Sequence, residues 1–129
     1  MASELRVNTL KDASGNNSIA TSFVAGGSAK VWFQFNCTGT AANRGSFNVS
    51  TLTDNGTGNM TESFTNNMND QNYATTGIAG GDSGSWADSV DHYYVTTPTL
   101  TGSIQLAITY NTSLSDGERV ACSINGDLA

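Results

Sequence analysis

The chain is poor in the residues from which the commoner kinds of site are built. It has two cysteines and one histidine in 129 residues. That excludes a disulfide framework, which needs several paired cysteines, and a zinc site, which needs several Cys or His ligands. Cys37 and Cys122 each share a strand phase with large apolar neighbours, so both are expected as buried, reduced thiols. No metal and no cofactor is expected.

Charge is scarce as well. Only 12% of residues are charged, and the five basic ones, Arg6, Lys11, Lys30, Arg44 and Arg119, leave a net charge of −6. Holding a phosphate backbone takes clustered Lys and Arg, so nucleic acid is excluded as a partner, and an anionic membrane surface is disfavoured for the same reason. No apolar run approaches the length of a membrane span, which argues against membrane insertion. Met1-Ala2-Ser3-Glu4 lacks the basic and apolar regions of a secretion signal, so assembly in a cytoplasm is expected.

Helix formers in an amphipathic pattern are missing too, and there is a single proline, Pro98. What fills the chain instead is Thr, Asn, Ser and Gly, which are mediocre or poor in helices and common in strands and turns. The expected fold is all-β, a single antiparallel β-sandwich or jelly-roll-like domain with little or no helix. Residues 1–27 are expected to be an N-terminal strand and turn segment that contacts other subunits, and residues 28–129 the sandwich.

The strongest local signal is Ser46 to Phe64, in which Asp54-Asn55-Gly56-Thr57-Gly58 separates two strand-like runs. Asn-Gly supplies the positive φ of a tight hairpin turn. The alternation puts Phe47, Val49 and Thr51 on one face of the first run and Met60, Glu62 and Phe64 on one face of the second. Three other runs alternate well: Lys30 to Cys37 with Val31, Phe33, Phe35 and Cys37 inward, Ser103 to Tyr110 with Ile104, Leu106, Ile108 and Tyr110 inward, and Arg119 to Ile124 with Val120, Cys122 and Ile124 inward. Weaker strands are predicted at Leu5 to Leu10, pairing at an edge or across a subunit boundary, at Ile19 to Val24, and at His92 to Thr97, which Pro98 terminates. Gly39 to Gly45 and the glycine-rich Thr75 to Trp86 read as loops.

Five features invite functional readings. Asp12, Ser14 and Asn16 alternate as calcium ligands do, but Phe23 stands where a closing Glu belongs, so a plain Asx turn is the better reading. Gly81-Asp82-Ser83-Gly84-Ser85 resembles a serine nucleophile loop, yet the lone His92 follows it closely, and no second component of such a machine is present. The acids Asp82, Asp88, Asp91, Glu62 and Glu118 have no spacing that pairs them as a glycosidase requires. No enzymatic activity is expected. The remaining cluster, Trp86, Asp88, Asp91, His92 and Tyr93 with Tyr94, mixes aromatic faces with carboxylates, which suits a sugar, and is the candidate receptor or ligand site. Trp32 is a large aromatic on an otherwise polar strand face and, with Leu5 and Val7, is the candidate subunit interface.

Ser46-Phe47-Asn48-Val49-Ser50, Leu52-Thr53-Asp54-Asn55-Gly56-Thr57-Gly58, Met68 and Asn72-Tyr73 resemble a domain of bacteriophage tail-fibre and virion-appendage proteins, especially marine and cyanobacterial ones. Glu4 to Gly15 and Ser28-Ala29-Lys30-Val31-Trp32 are similar to the lead-in of such proteins. The resemblance spans roughly the first 75 residues, by the positions of those motifs. It implies a virion structural protein, homotrimeric, assembled in the host cytoplasm and exposed on the virion surface, where its partners are its own copies and other virion proteins. It implies no catalytic residue. Two alternatives stay open: capsid decoration, as a cement or head-fibre protein, and a host-receptor module that binds surface glycan.

Overall fold

The computed structural model describes residues 6–80, 89–92 and 98–129, and of residues 89–92 the backbone alone. Strand alternation organises the described residues after 28 into two antiparallel sheets that face each other, as expected of an all-β sandwich, and a separate two-stranded sheet precedes them. In chain order the elements are β1 (Thr9–Lys11), β2 (Ser18–Ala20), α1 (Thr21–Gly27), β3 (Ala29–Asn36), β4 (Ala42–Phe47), β5 (Val49–Asp54), β6 (Asn59–Phe64), β7 (Ala74–Gly80), β8 (Ser89–His92), β9 (Thr99–Leu100), β10 (Ser103–Tyr110), β11 (Ser113–Leu114) and β12 (Arg119–Asn125).

One sheet has the order β4-β3-β12-β7 and the other β11-β10-β6-β5, with β8 and β9 also pairing with β10. The well-alternating runs are the inner strands. β12 lies between β3 and β7, and β10 lies between β6 and the short strands beside it. Their inward residues meet in one core: Val31, Phe33, Phe35 and Cys37 from β3 and its end, Met60 and Phe64 from β6, Ile104, Leu106 and Ile108 from β10, and Val120, Cys122 and Ile124 from β12. Burying these side chains away from water is the main source of the fold's stability. Tyr73 closes one end, its ring edge-on to Phe64 and its single hydroxyl proton shared between the carbonyls of Leu100 and Ser103, both at 3.0 Å.

The 54–58 turn is present, but its positive φ values fall on Gly56 (121°) and Gly58 (63°), not on Asn55. Asp54 accepts from the Gly56 N–H at 2.9 Å and Asn55 donates to Thr61 at 2.8 Å, so the side chains hold the loop from within.

Several expectations are corrected. Phe47 is not in the hairpin: it ends β4 and is 54% exposed. At Asn48 the chain takes φ 58° and crosses from one sheet to the other, which breaks the alternation that a straight strand would carry. The crossing is held by Asn48, whose side-chain oxygen accepts from the Asn66 N–H at 2.8 Å and whose amide donates to the Asn66 carbonyl at 3.1 Å. Tyr110 stands at the end of β10 and is exposed rather than inward. Residues 75–80 are not loop but most of β7, whose backbone pairs along the whole of β12 despite its glycines. Likewise Ala42–Phe47 is strand where a loop was expected. Of the run His92 to Thr97, only His92 lies in a described strand, at the end of β8, and 93–97 lie outside the described residues.

The N-terminal segment also differs. Its strand pair is β1 with β2 within the same chain, Leu10 opposite Ile19, and of the expected strand from Leu5 to Leu10 the residues Arg6 to Asn8 are not strand while Leu5 lies outside the described residues. Where Ile19 to Val24 was expected to be strand, Thr21–Gly27 forms the one helix among the described residues. No side chain caps its start, but Lys30 Nζ donates to the Ala25 carbonyl near its end, and to the Ser28 carbonyl and hydroxyl at 3.0 and 2.9 Å. A cation at a helix C-terminus meets the negative end of the dipole, a contact that strand periodicity does not report. Asp12 is satisfied by Ser14, the Asn16 N–H and Asn17, at 3.0, 3.0 and 2.7 Å, which makes the 12–17 turn an Asx-type turn. The hydrogen bonds from Asn17 and Ser14 hold its carboxyl below the ordinary range.

Candidate functional site

The outer face of the β4-β3-β12-β7 sheet is built from the residues that alternate with the core. Register places Phe47, Trp32, Ser123 and Thr76 in one row across the four strands, and Gly45, Gln34, Ala121 and Ile78 in the next. Large apolar groups therefore stand on either side of β12, Phe47 and Trp32 on β4 and β3 and Ile78 on β7, with the small Ser123 and Ala121 of β12 between them. Trp32 is 46% exposed and Ile78 68%. Between them runs an open groove of about 490 Å³, with Arg44 at its rim. Arg44 is there because β4 bulges opposite Gln34 and Phe35, leaving it between the paired residues Asn43 and Gly45.

Gly45 explains how Trp32 sits. A Cβ built on Gly45 would lie 3.7 Å from Trp32 Cζ3, so the six-membered ring of the indole rests on the bare backbone of β4. An aromatic laid over a strand glycine shields it and gains a fixed orientation. The result is a rigid apolar wall whose other face is open to solvent.

The N-terminal arm, residues 6–28, is the second surface with exposed apolar side chains. None of its described residues is buried, and Val7, Leu10, Ile19, Phe23 and Val24 are all exposed, Phe23 at 73%. The arm is ordered by its own hydrogen bonds, including Thr21 N–H to the Asn8 carbonyl at 3.0 Å, and it is tied to the domain where Asn125 donates to the Gly27 carbonyl at 3.2 Å.

Inside the sandwich, Glu62 is the only buried charged side chain among the described residues. Burial pushes its carboxyl up to about 7, against the opposing effect of the Asn43 hydrogen bond. A fully buried carboxyl cannot flank a glycosidic bond, so Glu62 is no candidate for that chemistry in this conformation. Cys37 and Cys122 are free and buried, and desolvation raises both thiols, Cys122 to about 11. Among the described residues no group of three or more His, Cys, Asp or Glu could hold a metal ion, and no helix is long and apolar enough to cross a membrane.

Of the residues singled out from sequence, Trp32 is on the exposed groove and Val7 on the exposed arm, while Leu5 lies outside the described residues. The backbones of Asp91 and His92 are in β8, opposite Ala107 and Leu106. Trp86, Asp88 and Tyr93 lie outside the described residues, as does the Gly81–Ser85 segment. Sequence reasoning missed Phe47 and Ile78 as surface residues. Ile78 alternates with Ala79, which is buried, and that single apolar-small pair amid glycines was too weak a signal to mark a strand. Compared with protein-family models, with curated proteins and with solved structures, the chain matches none.

Proposed function

We propose that this protein is a non-enzymatic structural component of a bacteriophage virion, working as a homotrimer in a tail fibre or similar surface appendage. It is assembled in the host cytoplasm and displayed on the particle surface, where it contacts other virion proteins. The observation that carries this reading is an imbalance of surfaces. An N-terminal arm that buries none of its apolar side chains, and a sheet face from which Trp32, Phe47 and Ile78 protrude, belong to a chain that lacks charge to solvate them. Contiguous apolar surface of this kind marks an interface in soluble proteins. The resemblance of the 46–73 motifs to phage appendage domains supplies the setting.

Decoration of a capsid is the second reading, and the same surfaces serve it. Copy number separates the two: a cement protein is present in proportion to capsomers, an appendage protein in a few copies per particle. Binding of host-surface glycan through Trp86, Asp88, Asp91, His92 and Tyr93 is a further role for the same appendage.

Sedimentation and native mass measurement on purified protein at micromolar concentration test the trimer. Three chains of 13.4 kDa are expected, and a monomer alone overturns the reading. Labelling of intact particles with an antibody to the protein then tests its place, with signal expected on appendages.

A further inference from the structure

Glu62 is enclosed by walls of unequal strength. β6 is an inner strand, with Leu52 of β5 opposite Glu62 on one side and Ile104 of β10 on the other, both apolar. Across the space between the sheets, β12 brings the Cys122 thiol, whose own titration Glu62 helps to raise, and β4 brings the amide of Asn43. The other charged or titratable residues of these strands are Asp54 at the end of β5, Tyr110 at the end of β10, Arg119 at the start of β12, and Arg44, which lines the outer groove. Two influences act on the Glu62 carboxyl: burial raises it and the Asn43 hydrogen bond opposes the rise.

β4 is the least secured of these walls. Among the described residues it pairs with β3 alone, at the edge of its sheet, and none of its residues is buried. Its ladder is broken by the bulge between the Asn43–Phe35 and Gly45–Gln34 pairs, immediately beside the residue that reaches Glu62. It is flanked by Gly39 at φ 70° and Asn48 at φ 58°, two left-handed positions where the chain changes direction. β6, β10 and β12, in contrast, are each paired on both sides and carry the core. Segments with few buried contacts and an exposed backbone open at the lowest cost, so the sandwich yields first at β4.

We propose that Glu62 and the edge strand β4 form a pH-sensitive latch: with the carboxyl neutral β4 is closed over it, and ionisation releases β4 from β3 so that the carboxylate reaches water. The physical drive is the cost of a charge with one long hydrogen bond and an oxygen, Oε1, that has no partner among the described residues. Asn43 is itself exposed, so water has only to follow its side chain inward once the strand lifts. The carboxyl titrates at about 7 instead of 4.5, which puts the closed form on the acid side of neutrality and the released form on the alkaline side. The Cys122 thiol, raised to about 11, stays neutral throughout that range. Release has a consequence on the opposite face of the sheet. Gly45, on which the Trp32 indole rests, belongs to β4, so the wall of the outer groove comes apart when the latch opens. The latch goes beyond the assembly proposed above and does not depend on it.

The test is made on the full chain without denaturant, because a urea midpoint follows the same titration however the charge is relieved. Amide hydrogen exchange, expressed as protection factors, is compared at pH 5.5 and pH 8.5. Protection across Ala42–Phe47 should fall by about tenfold or more at the higher pH, while β10 and β12 keep theirs. Trp32 emission, recorded in a Trp86→Phe background where it is the remaining indole, should move to longer wavelength over the same range. Glu62→Gln should abolish both changes, and Glu62→Met, which removes the titration with an unbranched apolar chain, serves if the amide variant does not fold. Unchanged β4 protection in the wild type overturns the latch, as does a loss shared equally by β10 and β12, which is global loosening. A loss at β4 that persists in the Glu62 variants assigns the opening to another group and overturns it too.

Discussion

Asn43 on β4 and Glu62 on β6 reach toward each other across the space between the two sheets, and the Asn43 amide donates to Glu62 Oε2 at 3.4 Å. It is a long bond, and Oε1 has no partner among the described residues. A carboxyl in this position is stable only as the neutral acid at moderate pH, because ionising it in the core would leave a charge without solvent.

The consequence for stability has a definite sign. The Glu62 carboxyl is raised from an ordinary 4.5 to about 7 in the folded protein, so the unfolded state releases its proton first. Stability is at its highest with respect to this group below pH 4.5, falls as pH rises towards 7, and is flat above that. The loss should be roughly 3 kcal/mol across the window. Glu62→Gln removes the titration, so the difference in urea midpoint between variant and wild type should grow from pH 4.5 to 7. Parallel curves for the two proteins would rule out a buried ionisable Glu62.

Gly58 is the tightest point of the hairpin loop. Its carbonyl accepts from the Ile108 N–H at 2.8 Å and its N–H donates to Asp116 at 2.8 Å, while a Cβ there would lie 2.5 Å from the Ile108 carbonyl oxygen. Gly56 has positive φ with nothing within 4 Å. Gly56→Ala should therefore cost about 1 kcal/mol from backbone strain alone, and Gly58→Ala about 3 kcal/mol or enough to undo the fold. Thermal melts of the two variants side by side measure the gap, and equal losses would contradict the close approach.

Asn48 does two jobs that substitution can separate. Asn48→Gly keeps the positive φ and loses the bonds to Asn66, whereas Asn48→Ala loses both. Glycine should cost about 1 kcal/mol and alanine about 2 kcal/mol by denaturant titration. A glycine variant as damaged as the alanine one would assign the whole effect to the side chain.

Cys37 and Gly117 make a reciprocal pair, with Cys37 Sγ accepting from the Gly117 N–H at 3.1 Å and donating to its carbonyl at 3.2 Å. Cys37→Ala leaves the buried N–H unsatisfied, so about 1–3 kcal/mol should be lost. In the wild type, a thiol reagent should modify neither cysteine until denaturant is added, because both are buried and both thiols are raised. Fast labelling of the native protein would show that a thiol is open to solvent.

The residues on their own determined the inner strands. Lys30 to Cys37, Ser103 to Tyr110 and Arg119 to Ile124 alternate because each has one face in a core, and a period of two survives wherever a strand runs straight. Their order in the sheets, and hence which outward residues became neighbours, was beyond that reading. The pattern places Phe47 inward because a left-handed Asn48 changes sheet without leaving a mark on it, and β7 reads as loop because its glycines carry no alternation and its pairing is supplied by the backbone of β12. The helix Thr21–Gly27 ends against a lysine that lies outside it, Lys30. Trp32 was legible as an aromatic without a reason to be on a polar face. Only tertiary structure set it over Gly45, opposite Ile78 from a strand 46 residues further along the chain, because a surface groove is a property of register across four strands and no local pattern encodes it.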